Sequence, residues 1–435
     1  MDFFAVGLLG IAVMVGLILL GVNIGMSMFL VGFIGYTYCV DFKAAFSLFK
    51  TVPFSQAASF SLSVIPLFVL MGQFAFRSGL TEGLFDAARK WLNRLPGSLA
   101  VATVAAAAGF SAICGSTIAT TATMTTVALP QMRKYGYDDG LSAGCIVAGG
   151  TLGVLIPPST VFIVYGIVAE QSIGRLFASG IVPGVILALF YSMTVVLYCK
   201  LRPGSAPERE SFTWRERLIS VKGIGPVVIL FVAVIGGMFA GIFTANEAAA
   251  IGAVIGLVFM IVSRRFSWGS FKQSLMDSAS TTAMIFQVLL GAYVFNYFLS
   301  VTRLPTMLAE FVGGLPINRY FIVLFIMVIF LVLGCIMDSL PIVLLTVPIF
   351  LPIIKELGFD PIWYGVLMVL ASDQGLMTPP VGMNVYIVAG MAKDIPMQKV
   401  FKGTLPFVGA IFACIVLVVF FPQISLWLPD LLFNK

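Results

Sequence analysis

Two stretches of this 435-residue chain set a Pro-Pro pair inside an apolar, helix-forming run: Gly149-Gly150-Thr151-Leu152-Gly153-Val154-Leu155-Ile156-Pro157-Pro158-Ser159 and Gly375-Leu376-Met377-Thr378-Pro379-Pro380-Val381-Gly382-Met383-Asn384. Each proline removes a backbone donor and pushes the preceding residue out of helical geometry, so a helix must open at both places. In hydrocarbon, carbonyls freed in this way are tolerated only against protein or a polar cavity, and their productive use is to coordinate a cation. A plain proline kink is the alternative; two equivalent breaks in one chain favour the cation site. Partners stand nearby in sequence. Ser111, Ser116 and Thr117 flank Cys114-Gly115, while Gly334, Asp338 and Ser339 form the later counterpart, and Asn384 closes the second break. Asp338 and Asp373 are ionisable groups expected within or near the membrane, where such side chains are costly and usually functional; capping a helix is the simpler role for Asp338. Helix N-termini at these breaks would favour a carboxylate and carbonyl ends would suit Na+.

The elements that carry these residues must be membrane spans. Hydrophobic residues make up 60% of the chain and charged residues only 10%, against roughly 25% charged in a soluble domain. Several apolar runs reach the roughly 20 residues that cross a bilayer as helix. The first, from Phe3 to Val22, follows Met1-Asp2 without a basic flank or a small-residue cleavage site, and is expected to be a retained span. The net charge of +6 sits in short links between apolar runs, where it sets topology and does not point to nucleic acid. Cys39, Cys114, Cys145, Cys199, Cys335 and Cys414 show no CxxC pairing, and histidine is absent altogether. Ser-His-Asp and Cys-His nucleophiles, HExxH metal sites and histidine relays are thereby excluded, and no cofactor is expected.

The long polar stretch from Lys200 to Lys222 divides the chain nearly in half. At a constant offset, Leu129-Pro130 matches Leu351-Pro352, Gly136-Tyr137-Asp138 matches Gly358-Phe359-Asp360, Gly153 matches Gly375, and Pro157-Pro158 matches Pro379-Pro380. An internal duplication explains such a register. Residues 1–199 then form one repeat, with spans near Phe3 to Val22, Ile24 to Val40 and Ala57 to Phe76, and an amphipathic stretch from Thr81 to Leu95. A re-entrant hairpin over 97–130, a broken span over 141–168 and a last span from Gly180 to Cys199 follow; two ordinary short spans are the alternative to the hairpin. Residues 200–222 are a cytoplasmic linker. Residues 223–435 repeat the pattern, with spans near Gly225 to Gly241, Glu247 to Val262 and Ser278 to Leu299. Their hairpin covers 319–352, their broken span 362–390, and the last span begins at Leu405. About five crossings and one hairpin per half make the crossing number odd, so the repeats are inverted. Placing the linker inside puts Arg89, Lys90, Arg94, Arg133, Lys134, Arg264, Arg265, Lys393 and Lys399 on the cytoplasmic side, as the positive-inside rule demands, and both chain ends outside.

With these motifs in order, the chain resembles the large, DctM-like membrane subunit of tripartite ATP-independent periplasmic (TRAP) transporters. The resemblance spans essentially the whole chain, from Ser59-Phe60-Ser61-Leu62 and Ile65-Pro66-Leu67-Phe68 through Cys114-Gly115-Ser116, both Pro-Pro segments and Gly241-Ile242-Phe243-Thr244-Ala245-Asn246-Glu247 to Gly334–Ser339. It implies an all-α, elevator-type ion-transporter-like fold in the bacterial inner membrane, and Na+-driven uptake of an organic acid such as a C4-dicarboxylate or sialic acid. It also implies two partners, a soluble periplasmic substrate-binding protein and a small four-helix membrane subunit. Carried onto this sequence, one Na+ site would use Ser111, Cys114, Gly153, Ile156 and Pro157, and a second Gly334, Gly375, Thr378 and Val381. Ser116, Thr117, Asp338, Ser339, Asp373 and Asn384 would lie at or near the substrate. Where many relatives carry an acidic residue this chain has Thr120, and its tip reads Cys-Gly-Ser in place of Ser-Gly-Ser. Beside this reading stand a stand-alone Na+/carboxylate carrier, a channel-like permease and an intramembrane enzyme; without histidine, the enzyme is left with a carboxylate or lysine-assisted scheme.

Overall fold

The computed structural model describes residues 3–206 and 211–433. Met1-Asp2, residues 207–210 of the polar stretch and the last two residues lie outside the described residues, with whatever the sequence reading assigns to them. Among the described residues every regular element is helical.

The first half begins with α1 (Phe3–Leu19), α2 (Ile24–Cys39) and α3 (Phe42–Ala57), then passes through a 3-10 turn at Phe60–Ser63 into α4 (Val64–Arg77). Next come α5 (Leu80–Trp91), α6 (Ser98–Cys114) and α7 (Thr117–Lys134), followed by α8 (Asp139–Leu155), α9 (Thr160–Val168) and α10 (Ile173–Leu201). In the second half, α11 (Trp214–Phe231) runs through a π-helical turn at Val232–Gly236 into α12 (Gly237–Phe239), and α13 (Ala245–Val262), α14 (Trp268–Thr302) and α15 (Leu304–Gly313) follow. α16 (Arg319–Gly334), α17 (Ser339–Glu356), α18 (Pro361–Leu376), α19 (Met383–Met391), α20 (Met397–Phe420) and α21 (Gln423–Phe433) complete the chain. Eight helical stretches among the described residues are long and apolar enough to cross a membrane, and α1, α2, α6, α15 and α16 are shorter apolar helices.

Several boundaries differ from the sequence reading, each for a local reason. The polar stretch is helical from Trp214, because Thr213 and Glu216 form a capping box that starts α11 well before the apolar run. α3 is unforeseen: Asp41 caps it through Ala44 N, and its exposed Phe42, Phe46 and Phe49 alternate with Lys43, Ser47 and Lys50, which hides the helix from a hydropathy scan. The span expected from Ala57 to Phe76 is shortened to α4 by the turn at Phe60, whereas the span near Ser278 lengthens into the single 35-residue α14. α21, beyond the last expected span, is held to α10 by Arg175 and Asp430 at 2.8 Å.

The centre of the molecule is formed by α8 and α18, which are buried from Gly140 to Leu155 and from Ile362 to Leu376. Small residues allow this. A Cβ on Gly144 would collide with the backbone of Gly403 in α20, so these two helices meet at glycine. Around this pair, α6, α7, α9, α19 and α20 pack, while α2 lies along α14, α13 along α4 and α11 along α5. Charged pairs sit at helix ends: Arg133 bridges Asp139 and Asp394, Lys399 faces Asp138 and Asp139, and Arg265 donates to both oxygens of Glu82.

Candidate functional site

Both Pro-Pro segments break a central helix. α8 ends at Leu155, and the chain passes through Pro157-Pro158 before Ser159 restarts it as α9, its Oγ accepting from Phe162 N at 3.2 Å. α18 likewise ends at Leu376, and α19 starts after Gly382, whose φ of 63° a side chain would strain. Both Pro-Pro peptide bonds are cis. The last carbonyls and first N–H groups of a helix have no partner four residues along it, so each break offers a cluster of acceptors on one side and a positive helix end on the other.

A second pair of helix ends meets each break. α6 stops at Cys114 and α7 starts at Thr117, with Ser116 as its N-cap. The Gly115 carbonyl of this tip accepts from Thr160 N at 3.3 Å and from Thr160 Oγ1 at 2.8 Å. A Cβ on Gly153 would stand 2.6 Å from the Ser116 carbonyl and 2.9 Å from Thr120 Oγ1, so the tip lies directly on α8. Ser111, Cys114, Gly153, Ile156 and Pro157 are thus brought to one junction, where the Ser111 hydroxyl donates to the Ala107 carbonyl at 2.7 Å. At the other break, Gly382 N donates to the Cys335 carbonyl at 3.3 Å, and Gly334 and Gly375 touch backbone to backbone. Thr378 and Val381 lie in the loop between α18 and α19, and Thr378 Oγ1 donates to the Gln374 carbonyl at 2.6 Å.

The remaining polar residues fall into two groups. Asp338 is the N-cap of α17 by position, and its side chain makes no cap hydrogen bond. Ser339 Oγ donates to Asp373 Oδ1 at 3.1 Å, while Asp373 Oδ2, buried, meets no partner among the described residues. With 1% of its surface exposed and no basic side chain bonded to it, this carboxylate is an arrangement that a bound cation would compensate. The second group faces helices of the first half of the chain. Asn384 is fully buried with both amide atoms unpartnered, as are Thr117 Oγ1 and Thr120 Oγ1. Asn384 Nδ2 would come within 3.3 Å of a Cβ on Gly150, which would also meet Thr121. Asn384 therefore follows the second break in sequence and packs against the helices of the first. Among the described residues no three His, Cys, Asp or Glu side chains gather as a metal site.

A cavity of about 410 Å³ opens beside the first tip, with Cys114, Ser116, Thr160 and Asp338 in its wall. A second, of about 400 Å³, shares Asp338 and Leu340 with it and continues past the second tip. Cavities of this size suit a small organic ligand. Two wall residues escaped the sequence reading: Arg77 at the end of α4 and Asp277 in α14, joined at 2.6 Å. Each is a lone charge near the end of an apolar run, which sequence alone reads as topology; only their meeting in one wall of the cavity marks them.

The solved structures agree on the fold. The Alcanivorax borkumensis YdaH transporter superposes with a TM-score of 0.63 at 14% identity, covering 90% of this chain and 91% of that one. Neisseria gonorrhoeae MtrF superposes at 0.53 and 13% identity, over 82% and 80%. By sequence, the C4-dicarboxylate TRAP transporter large permease protein DctM of Pseudomonas aeruginosa is 34% identical over 87% of this chain and 88% of its own length. The sialic acid TRAP transporter large permease protein SiaM of Vibrio cholerae is 33% identical over 86% and 87%. The isethionate TRAP transporter permease protein DctMQ of Oleidesulfovibrio alaskensis is 34% identical over 86% of this chain, which spans only 59% of that longer protein. The chain is a multi-pass membrane protein. With the family model for the DctM component of the tripartite ATP-independent periplasmic transporter matching residues 11–424, it belongs to that family.

Proposed function

We propose that this chain is the large permease subunit that carries a small organic acid across the bacterial inner membrane, driven by Na+ bound at the two helix breaks. The observation that carries the reading is the repeated junction itself. At each one, the carbonyl ends of two helices and the amide ends of two others meet beside a cavity, and at the second the buried Asp373 carboxylate lacks a counter-charge. Carbonyl ends suit Na+ and amide ends suit a carboxylate. One Na+ would be held by Ser111, Cys114, Gly153, Ile156 and Pro157, the other by Gly334, Gly375, Thr378 and Val381, mostly through backbone oxygens. The acid would bind in the cavity beside the tips, near Ser116 and Asp338.

The names of the relatives, which include C4-dicarboxylate, sialic acid and 2,3-diketo-L-gulonate permeases, support a carboxylate cargo. A small membrane subunit and a periplasmic binding protein would complete the system. In the elevator movement we infer, the tips and broken helices shift together against α2, α4, α13 and α14, and the two halves act as inverted repeats with both chain ends periplasmic. Support for the repeat comes from α7 and α17, both of whose ends stand 222 residues apart. The test is uptake of labelled succinate, N-acetylneuraminate and 2,3-diketo-L-gulonate into vesicles holding the complete system. An inward Na+ gradient should drive the accepted acid, and equal uptake under a proton gradient in Na+-free buffer would refute the Na+ assignment.

A further inference from the structure

In the wall of the cavity beside the first tip, Arg77 is the one basic side chain among the described residues, and it shares that wall with two carboxylates, Asp277 and Asp338. Arg77 Nη2 donates to Asp277 Oδ2 at 2.6 Å, while the Gln273 amide donates to the other oxygen at 2.8 Å. Asp277 thus has both oxygens engaged. Arg77 uses one of its donors in this bond, its Nε is buried without a partner, and its side chain remains 25% exposed. One positive charge faces two negative ones, so an entering anion is repelled unless a cation accompanies it or the guanidinium turns part of its fork to it. No other side chain in the wall offers the planar, paired N–H donors that match the two oxygens of a carboxylate.

We propose that Arg77 is the carboxylate-recognising residue of this cavity, with Asp277 as the positioning counter-ion that competes for it. The proposal rests on the carboxylate cargo argued above. α4 and α14 form one wall and α7 the other, through Ile118, Ala119, Ala122, Thr123 and Thr126, residues spaced along a single helical face. An acid held at the Cys114-Gly115-Ser116 tip meets Arg77 across this gap. Its carboxylate then shares the guanidinium with Asp277, and binding is weakened by however tightly Asp277 holds its share. Removing the guanidinium and removing its competitor must therefore act in opposite directions.

The experiment is calorimetric titration of the purified full chain in Na+ buffer with succinate, N-acetylneuraminate and 2,3-diketo-L-gulonate, comparing wild type, Arg77→Gln, Asp277→Asn and Arg175→Gln. The last breaks an ion pair of similar length, Arg175 to Asp430, whose residues do not line this cavity. Arg77→Gln should weaken binding of the accepted acid by about tenfold or more. Asp277→Asn should tighten it severalfold, and Arg175→Gln should leave it unchanged. Na+ binding measured without acid should be unaltered in all of them. Acid binding indifferent to Arg77→Gln, or weakened by Asp277→Asn, is what a purely structural pair gives and overturns the proposal; the Asp277→Asn result decides it even if Arg77→Gln does not fold. A wild-type chain that binds none of the three acids in Na+ overturns the carboxylate cargo itself, a separate and recognisable outcome.

Discussion

Thr378 is the side-chain hydroxyl adjoining the second Pro-Pro pair, and its proton is already engaged by the Gln374 carbonyl. A hydroxyl whose proton is committed presents its lone pairs outward, so Thr378→Val would remove a ligand of the proposed Na+ site while keeping the shape. Losing an interaction of about 1–3 kcal/mol should raise the Na+ concentration for half-maximal uptake by roughly 5-fold to 150-fold. An unchanged Na+ dependence at matched expression would mean that the break is only a kink. Gly375 makes a different demand. A Cβ there would lie 2.5 Å from the Gly334 backbone and 2.6 Å from the Leu331 carbonyl, neither of which can rotate away. Gly375→Ala should cost about 1–3 kcal/mol through overpacking, read as a lower thermal unfolding temperature. Gly390, with nothing near its would-be Cβ and a helical position in α19, is the control; Gly390→Ala should be neutral or stabilising by under about 1 kcal/mol.

At the scale of elements, charged pairs at helix ends, outside the spans, tie neighbouring helices together. Arg265, in the link from α13 to α14, donates to both oxygens of Glu82 at the start of α5. The Arg265 hydrogen bond holds the Glu82 carboxyl below its ordinary range, against a smaller opposing effect of burial. A carboxyl whose acidity is strengthened by folding contributes its stabilisation above its unfolded pKa, and loses it as pH falls through the lowered folded value. The pair is exposed, so the contribution is under about 1 kcal/mol. Wild type should therefore unfold at a slightly higher temperature than Glu82→Gln at neutral pH, and the gap should close as the buffer is acidified below about pH 4. A gap that persists in acid would assign the effect of Glu82 to packing.

For the whole molecule, the Na+ sites as proposed lie within this chain, whereas delivery of the acid is proposed to fall to a partner. Binding and transport should therefore separate. Na+ at tenfold its dissociation constant should stabilise the isolated chain by about 1.4 kcal/mol per site, raising its unfolding temperature where K+ does not. The same isolated chain in vesicles should take up little acid until the small membrane subunit and the binding protein are supplied. Full uptake by the chain alone would make it a stand-alone carrier, and equal stabilisation by K+ would remove the selective sites.

Class, helix breaks and family were legible in the sequence because each is written locally. Apolar composition decides the solvent, Pro157-Pro158 and Pro379-Pro380 open a helix wherever they stand, and Gly115 and Gly382 mark turns that side chains resist. What lay beyond the sequence depends on where helices far apart in the chain come to rest. α3 was hidden because its phenylalanines and lysines average to an unremarkable hydropathy. Arg77 and Asp277 stand 200 residues apart and Ser339 and Asp373 stand 34 apart, and nothing in either partner's neighbourhood specifies the other. Asn384 reads in sequence as part of the second break, yet its amide is packed against Gly150 and Thr121 of the first half. Only the packing of α7, α8 and α19 around shared glycines decides that placement, since close backbone approach needs small residues on several helices at once.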